Sequence, residues 1–156
     1  MSKRVAVDRA ITEDMLSDAR AALRAARRVV IIEDNADIRD GLQLFLEQCG
    51  HHVDVAEDGY AGIQRVLETR PEIVLVDIGL PGLDGYEVAR TIRAALGEHV
   101  FLVAFTGYGQ EDDRRRALGA GFNAHLTKPV AFEAIELLVQ RFCPDAESPR
   151  PAKPSS

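Results

Sequence analysis

Cysteine and long apolar stretches are scarce in this sequence. No uninterrupted apolar run approaches the roughly eighteen residues that a membrane-spanning helix needs, so no span is predicted. The two cysteines, Cys49 and Cys143, lie far apart and lack Cys-x-x-Cys or Cys/His spacing, which argues against a zinc site and a disulfide framework. We expect reduced, structural thiols. The N-terminus carries early charges instead of the apolar core of a secretory signal, so we expect a cytoplasmic protein.

Signatures of several function classes are also missing. The chain has no fixed-period repeat, no glycine-rich phosphate loop and, at 156 residues, no room for an ATP-binding domain, which excludes a histidine kinase as its own activity. A net charge of −6 argues against nonspecific DNA binding through the whole domain, and no helix-turn-helix fits beside the core. Arg114, Arg115 and Arg116 form a local basic run that we interpret as a solvated helix face.

Short apolar runs alternate with segments of helical spacing. The runs are rich in Val, Ile, Leu and Phe and predict strands at 29–32, 52–56, 73–76, 100–105 and 122–126. A strand is followed by a helix five times, which predicts an α/β fold: a doubly wound five-stranded parallel sheet covered by helices on both sides. The first two predicted helical stripes are Ile38, Leu42, Phe45, Leu46 and Cys49, then Ala61, Ile63, Val66 and Leu67.

Two segments flank a core domain at 28–143. In the extension at 1–27, Thr12 as a cap and arginines at 24, 27 and 28 in a last turn predict a helix over 11–28. Its apolar spacing fits a short coiled-coil seam, which leaves open a homodimer or a helix that packs on its own domain or frays. The tail at 144–156 is dense in Pro and Ser, and we expect it to be disordered.

Polar residues follow the predicted strands where each one ends. Glu33 and Asp34 follow the first, Asp77 ends the third, Thr106 follows the fourth and Lys128 lies beyond the fifth. Because the carboxyl ends of parallel strands meet at one edge of the sheet, these side chains should converge there. Three carboxylates close together repel and call for a cation, and hard oxygen ligands suit Mg²⁺ better than zinc or copper.

The other residues at this edge indicate an anion beside the metal. Lys128 can pair with a phosphoryl oxygen, Thr106 can donate a hydroxyl hydrogen bond to another, and Gly107 leaves room for the group. A carboxylate nucleophile, Mg²⁺, an ammonium and a hydroxyl together form a site for phosphoryl transfer. The covalent product at Asp77 would be an aspartyl phosphate.

Four segments, taken in order, resemble the receiver domain of response regulators in two-component systems. They are VVIIEDNADIR, IVLVDIGLPGLDGYEVAR, VAFTGYG and AHLTKPV, and the resemblance covers roughly residues 28–143. It implies a flavodoxin-like receiver fold with strand order 2-1-3-4-5, here with an extra N-terminal helix. It also implies that a partner sensor histidine kinase or phosphotransfer protein phosphorylates Asp77, so the chain is a regulatory phosphoacceptor and not an enzyme. The GYGQ and HLTKP segments are similar to receivers fused to hybrid kinases.

The same resemblance assigns roles around the acceptor. It implies that Asp34 and Asp77 ligate Mg²⁺ directly, that Glu33 acts through metal-bound water, and that the backbone carbonyl of Gly79 is a further ligand. It implies a cis peptide bond between Lys128 and Pro129, which would aim the lysine inward. Gly79 and Tyr108 would flank the entrance for the phosphoryl group.

His125 departs from the family pattern. Receivers usually carry Tyr or Phe three residues before the lysine, where the ring turns inward as Thr106 moves toward the phosphoryl group. Here a half-buried imidazole switch and an exposed strand-edge histidine both remain open.

Two further groups are read as structural. Pro81, Gly82, Asp84 and Gly85 are turn formers, with Asp84 as N-cap of the next helix. His51, His52 and His99 are read as surface or strand-edge histidines.

The leading hypothesis is a single-domain regulator or phosphorelay intermediate that signals through protein contact, without direct DNA binding. A phosphorylation-independent binding module is the main alternative, although the site residues are all present. A metal-dependent phosphatase of the haloacid-dehalogenase type is disfavoured, because that chemistry needs an Asp two residues after the nucleophile and Gly79 stands there.

Overall fold

The computed structural model describes residues 26–107 and 111–141, without the side chains of 111–113. Strands and helices alternate along these residues. Their bounds are β1 Arg28–Ile32, α1 Ala36–Gln48, β2 His52–Ala56, α2 Gly59–Thr69, β3 Ile73–Asp77, α3 Gly85–Leu96, a 3-10 turn Gly97–His99, β4 Phe101–Thr106, α4 Glu111–Ala120, β5 Ala124–Thr127 and α5 Phe132–Arg141. Residues 11–25 of the predicted N-terminal helix, Tyr108 and the predicted disordered tail at 144–156 lie outside the described residues.

The five strands form one parallel sheet in the order β2-β1-β3-β4-β5, which confirms the predicted doubly wound topology. Asp77 pairs with Phe105 at the end of β3, and Thr106 pairs with Thr127 at the end of β4. The strand order reverses between β1 and β3. The carboxyl ends of these central strands therefore meet at the topological switch point, where ligands bind in sheets of this kind.

Hydrophobic layers cover both faces of the sheet. Helices α2, α3 and α4 pack on one face around residues such as Ile32 and Val76, whereas α1 and α5 pack on the other around Ile31 and Leu75. Successive residues of β1 and β3 alternate between the two layers, as strand geometry requires. Because both faces are covered, β3 is buried along its whole length, Asp77 included.

Helix α3 begins immediately beside the end of β3. The Asp84 carboxylate accepts a hydrogen bond from Glu87 N at 3.0 Å, which confirms Asp84 as the N-cap. A Cβ atom at Gly85 would lie 2.8 Å from the carbonyl oxygen of Asp77 and from Cα of Ile78. Only glycine therefore lets α3 start this close to the Asp77 backbone.

The predicted N-terminal helix is wrong at its C-terminal end. Arg28 is the first residue of β1, and Arg27 is a buried, non-helical residue whose guanidinium lies 3.5 Å from Glu72. The carbonyl of Arg27 accepts a hydrogen bond from His52 N at 2.9 Å. Pairing with β2 therefore outweighs the helical preference of the arginines, because it satisfies backbone groups that would otherwise be buried without partners.

His51 is also different from its prediction, because it is buried and not at the surface. Its Nδ1 accepts a hydrogen bond from Arg27 N at 2.9 Å, and its Nε2 lies 2.9 Å from the Glu136 carboxylate. An Nδ1 that accepts from an amide leaves the ring proton on Nε2, which then donates to Glu136. The ring thus joins the start of β1 to α5. His52 and His99 are exposed, as predicted.

Smaller parts of the sequence interpretation differ in detail. The predicted apolar stripes include Ile38 and Leu67, but each of these side chains is exposed to a substantial degree. Phe122 is buried but precedes β5, whose ladder with β4 starts at Ala124. The three arginines at 114–116 are exposed, as predicted, and the Arg116 guanidinium lies 4.3 Å over the Tyr86 ring. Cys49 is a free, half-buried thiol, and Cys143 lies outside the described residues.

Within residues 26–107 and 111–141, no helix combines the length and the apolar character that crossing a membrane requires.

Candidate functional site

The fold brings three acidic side chains together at the carboxyl edge of the sheet. Glu33 and Asp34 lie in the loop after β1, and Asp77 is the last residue of β3. One carboxylate oxygen from each lies within 4.8 Å of the others. Asp34 is exposed, whereas Glu33 and Asp77 are buried. The cluster therefore faces solvent on one side only, as a site for a partly hydrated ion requires.

Asp77 is held from two directions. Its Oδ1 accepts a hydrogen bond from Lys128 Nζ at 2.7 Å and another from the amide of Gly79 at 3.0 Å. The Asp77 side chain is 5% exposed and that of Lys128 is 35% exposed, so the ammonium bridges the buried carboxylate and solvent. A charge-assisted bond of this length holds the carboxylate in one orientation.

Glu33 has one satisfied and one unsatisfied oxygen. Its Oε2 accepts a hydrogen bond from Asn35 N at 3.1 Å, but its buried Oε1 has no hydrogen-bond partner among the described residues. The pKa of Glu33 is raised to about 7, and burial is the largest cause. The nearby Asp77 carboxylate contributes to this rise, whereas the Asn35 amide and the Lys128 ammonium oppose it. The carboxylates of Glu33 and Asp77 carry more negative charge than the single ammonium of Lys128 can neutralise.

These observations fit a bound divalent cation. A buried carboxylate oxygen without a partner is costly, and a metal ion would satisfy Glu33 Oε1 and neutralise the cluster. The donors are oxygen atoms, which suits a hard cation such as Mg²⁺. Gly79 is exposed and adjoins the cluster through the hydrogen bond that its backbone N–H donates to Asp77 Oδ1. The role of its carbonyl as a ligand stays a prediction.

Thr106, Gly107 and Lys128 line the same edge. Thr106 is buried, and its hydroxyl has no hydrogen-bond partner within the described part of the chain. Gly107 is exposed, with open space where a Cβ atom would stand. Lys128 N donates to the carbonyl of Thr106 at 2.7 Å, which ties the β5–α5 loop to the end of β4. The predicted cis bond between Lys128 and Pro129 is present.

His125 occupies the position left open in the sequence. It is half-buried on β5 opposite Ala104, and strand alternation puts it on the same face of the sheet as Thr106. His125 is therefore half-buried rather than exposed, and its role as a switch stays a prediction. Tyr108, expected at the entrance, lies outside the described residues.

Sequence reasoning missed two features beside the site. An apolar cavity of about 380 Å³ lies between α1 and α5, with Glu33 and Lys128 among its lining residues. Ile38 lines it, which explains why this residue of the predicted buried stripe is exposed. Arg39 is the second feature: its Nη1 donates to the carbonyl oxygen of Glu33 at 2.9 Å. A cation in the first turns of a helix is too common for its spacing alone to predict this contact.

The fold and the site together define a small doubly wound α/β protein with a carboxylate, lysine and threonine cluster at the switch point of its sheet. The family model of the response regulator receiver domain matches residues 29–140. The chain therefore belongs to the response regulator receiver family of two-component systems, as the four motifs predicted.

Curated relatives agree with this assignment. The chain is 35% identical over 123 residues to a Leptolyngbya boryana protein described as an uncharacterized 14.6 kDa protein in the sodA1 3' region, covering 76% of this chain and 94% of that one. It is 30% identical over 129 residues to the response regulator MprA of Mycobacterium sp. (strain KMS), covering 80% of this chain. The match spans 56% of the length of MprA.

Solved structures give the same fold. The receiver domain of the sensor histidine kinase PA1611 from Pseudomonas aeruginosa PAO1, which has a magnesium ion coordinated in its active site cleft, is 30% identical with a TM-score of 0.69. The alignment covers 76% of this chain and 98% of that domain. The receiver domain of Saccharomyces cerevisiae Ssk1, solved with the histidine phosphotransfer protein Ypd1, is 28% identical with a TM-score of 0.72, covering 76% and 89% of the two chains.

Proposed function

We propose that Asp77 accepts a phosphoryl group from a phosphohistidine, in a reaction that depends on Mg²⁺. The observation that carries the proposal is the setting of Asp77, a buried carboxylate at 2.7 Å from Lys128 and grouped with Glu33 and Asp34. A solitary buried carboxylate beside an ammonium would suffice for a structural ion pair. Two additional acids at the same point are costly unless the site binds a cation.

Each site residue has a defined role in this reaction. A carboxylate oxygen of Asp77 forms a bond to phosphorus while the phosphorus–nitrogen bond of the donor breaks, and the departing imidazole takes up a proton. Lys128 binds one phosphoryl oxygen, the unpartnered Thr106 hydroxyl donates to another, and the open space at Gly107 accommodates the group. Mg²⁺, held by Glu33, Asp34, Asp77 and the Gly79 carbonyl, would neutralise the charge on the phosphoryl oxygens.

The phosphodonor is a sensor histidine kinase or a histidine phosphotransfer protein. The similarity to the Ssk1 receiver, which was crystallised with the phosphotransfer protein Ypd1, supports this class of partner. The chain then acts as a regulatory phosphoacceptor in the cytoplasm, not as an enzyme with an external substrate. Its output is a contact between proteins, formed by the surface of α4, β5 and α5, rather than direct DNA binding. Homodimerisation through the N-terminal extension is an additional proposal for the segment before residue 26.

Incubation with acetyl phosphate and Mg²⁺, followed by intact-mass measurement, tests the proposal. We expect a labile adduct with the mass of one phosphoryl group, because acetyl phosphate supplies the same group without a partner protein. The adduct should be absent in Asp77→Asn and when EDTA removes the metal.

Asp54→Asn is the matched control, since Asp54 is an exposed aspartate on β2 outside the cluster. It should be phosphorylated like the unsubstituted chain. An adduct that persists in Asp77→Asn, or no adduct in the unsubstituted chain with Mg²⁺ present, would contradict the proposal.

A further inference from the structure

Arg39 is a cation beside the acidic cluster to which the proposed phosphoryl transfer gives no role. It lies in the first turns of α1, and its side chain is only 15% exposed. The guanidinium Nη1 donates to the backbone carbonyl of Glu33 at 2.9 Å. Its Nε is 4.0 Å from Asp40, which is the outer limit of an ion pair. The strongest contact of this arginine is therefore with the backbone of the β1–α1 loop.

That loop is held at several successive points. Glu33 N donates to the carbonyl of Ala56 on β2 at 3.0 Å, and the Glu33 carbonyl accepts from Arg39. The next-but-one amide, that of Asn35, donates to Glu33 Oε2 at 3.1 Å, and Asn35 Oδ1 caps α1. The Glu33 backbone is thus anchored on both sides, by a strand and by the arginine.

Anchoring the Glu33 carbonyl also orients Asp34. The peptide unit is planar, so the position of this oxygen sets the plane that contains the amide nitrogen and Cα of Asp34. Asp34 is exposed and lies in the loop between the end of β1 and the start of α1. The hydrogen bond from Arg39 on α1 restrains the plane of the Glu33–Asp34 peptide.

The choice of a backbone acceptor has a chemical consequence. An arginine bound to a carboxylate would occupy the oxygens that a metal needs, often through two parallel hydrogen bonds. By donating to the carbonyl, Arg39 brings a positive charge to the acidic loop and leaves the carboxylate oxygens of Glu33 and Asp34 available. Groups that orient metal ligands in this way typically affect metal affinity by about 10- to 100-fold.

We infer that Arg39 is a positioning residue for the metal site, which holds the Glu33–Asp34 peptide so that both carboxylates face Asp77. The inference rests on the proposed function, since it assigns Arg39 a role in the Mg²⁺ site proposed there. It predicts an effect on metal binding itself, separate from any effect on folding.

Calorimetric titration of the full unphosphorylated chain with MgCl₂ tests this role. Arg39→Met keeps the apolar stem but removes the charge and the donors, and we expect it to weaken Mg²⁺ affinity by about 10-fold or more. Arg39→Lys keeps the charge without the planar donor group and should lose less, although more than about threefold. Arg65→Met is the control, because Arg65 is a half-exposed arginine on α2 whose ion pair with Glu68 lies outside the site. It should bind like the unsubstituted chain.

The outcomes separate a positioning role from a structural one. Urea unfolding in EDTA and circular dichroism show whether each variant is folded during the titration. If the folded Arg39 variants bind Mg²⁺ within about threefold of the unsubstituted chain, the inference is overturned, even where their stability is lower. If Arg39→Met does not fold, Arg39→Lys decides by the same limit. Failure of the unsubstituted chain to bind Mg²⁺ overturns the inference together with the metal site, whereas equal binding by all variants removes the inference alone.

Discussion

Glu33 and Asp77 show, at the scale of single residues, how burial determines the chemistry of this site. Both side chains are buried, but Asp77 has Lys128 and the Gly79 amide as partners, whereas Glu33 Oε1 has none among the described residues. Burial, with the Asp77 charge as a smaller contribution, raises the pKa of Glu33 to about 7. The cluster is therefore a source of instability, which the proposed Mg²⁺ would remove.

The pH dependence of stability follows from this raised pKa. Because the pKa of Glu33 is higher in the folded state than its unfolded value of 4.5, the folded state binds this proton more tightly. The stabilising contribution of protonated Glu33 is complete below pH 4.5 and is lost as the pH rises through about 7. In EDTA at pH 8, the free energy of unfolding of Glu33→Gln should therefore be about 2 kcal/mol higher than that of the unsubstituted chain. At pH 4.5 the two proteins should differ little. Urea unfolding at the two pH values measures this.

Glu57→Gln controls for the loss of one surface acid, since Glu57 is exposed after β2. It should change neither value appreciably. The assignment of the pH effect to Glu33 would be wrong if Glu33→Gln were less stable than the unsubstituted chain at pH 8.

At the scale of secondary-structure elements, the site depends on how closely α3 approaches β3. Gly85 is the residue that permits this approach. Its amide donates to the carbonyl of Ile78 at 3.3 Å, and the position of a Cβ atom here is already occupied by the backbone of Asp77 and Ile78. Backbone atoms cannot give way as a flexible side chain can. The start of α3 and the direction of Asp77 are therefore coupled.

Gly85→Ala should lower the free energy of unfolding by about 2 kcal/mol, because overpacking forces the two backbones apart. It should also slow phosphorylation by acetyl phosphate, since Asp77 is displaced. Gly119→Ala is the matched control: Gly119 lies in α4 with nothing near its Cβ position, so alanine should stabilise the chain by about 0.5 to 1 kcal/mol. Thermal unfolding and adduct mass measure both effects, and a neutral Gly85→Ala would contradict the coupling.

At the scale of the whole molecule, the site is connected to one outer edge of the sheet. Thr106 ends β4 and pairs with Thr127, and Lys128 N is bound to the Thr106 carbonyl. Strand β5 is an edge of the described sheet with β4 as its neighbour, and it pairs directly with Thr106. A shift of Thr106 toward a phosphoryl group would reach β5 and the adjoining α4 first.

Hydrogen exchange in acetyl phosphate and Mg²⁺ should therefore change in α4 and β5 and remain unchanged in α2. A two-state surface biased by phosphorylation gives this localised pattern. The unsubstituted chain in Mg²⁺ without acetyl phosphate should lack this pattern, which separates phosphorylation from metal binding. Changes spread evenly over all helices would contradict the proposed output surface.

The sequence by itself determined the α/β class, the order of elements and the residues that meet at the carboxyl edge. These follow from local signals. Each buried strand of a parallel sheet needs a short apolar run, and the polar residues that follow such runs meet at the carboxyl edge of the sheet. Only the tertiary structure decided that His51 is a buried link between β1 and α5, that the Arg27 carbonyl bonds to β2, and that Arg39 holds the Glu33 carbonyl. Each of these depends on a partner distant in the chain or on a side-chain direction, which spacing along a sequence does not encode.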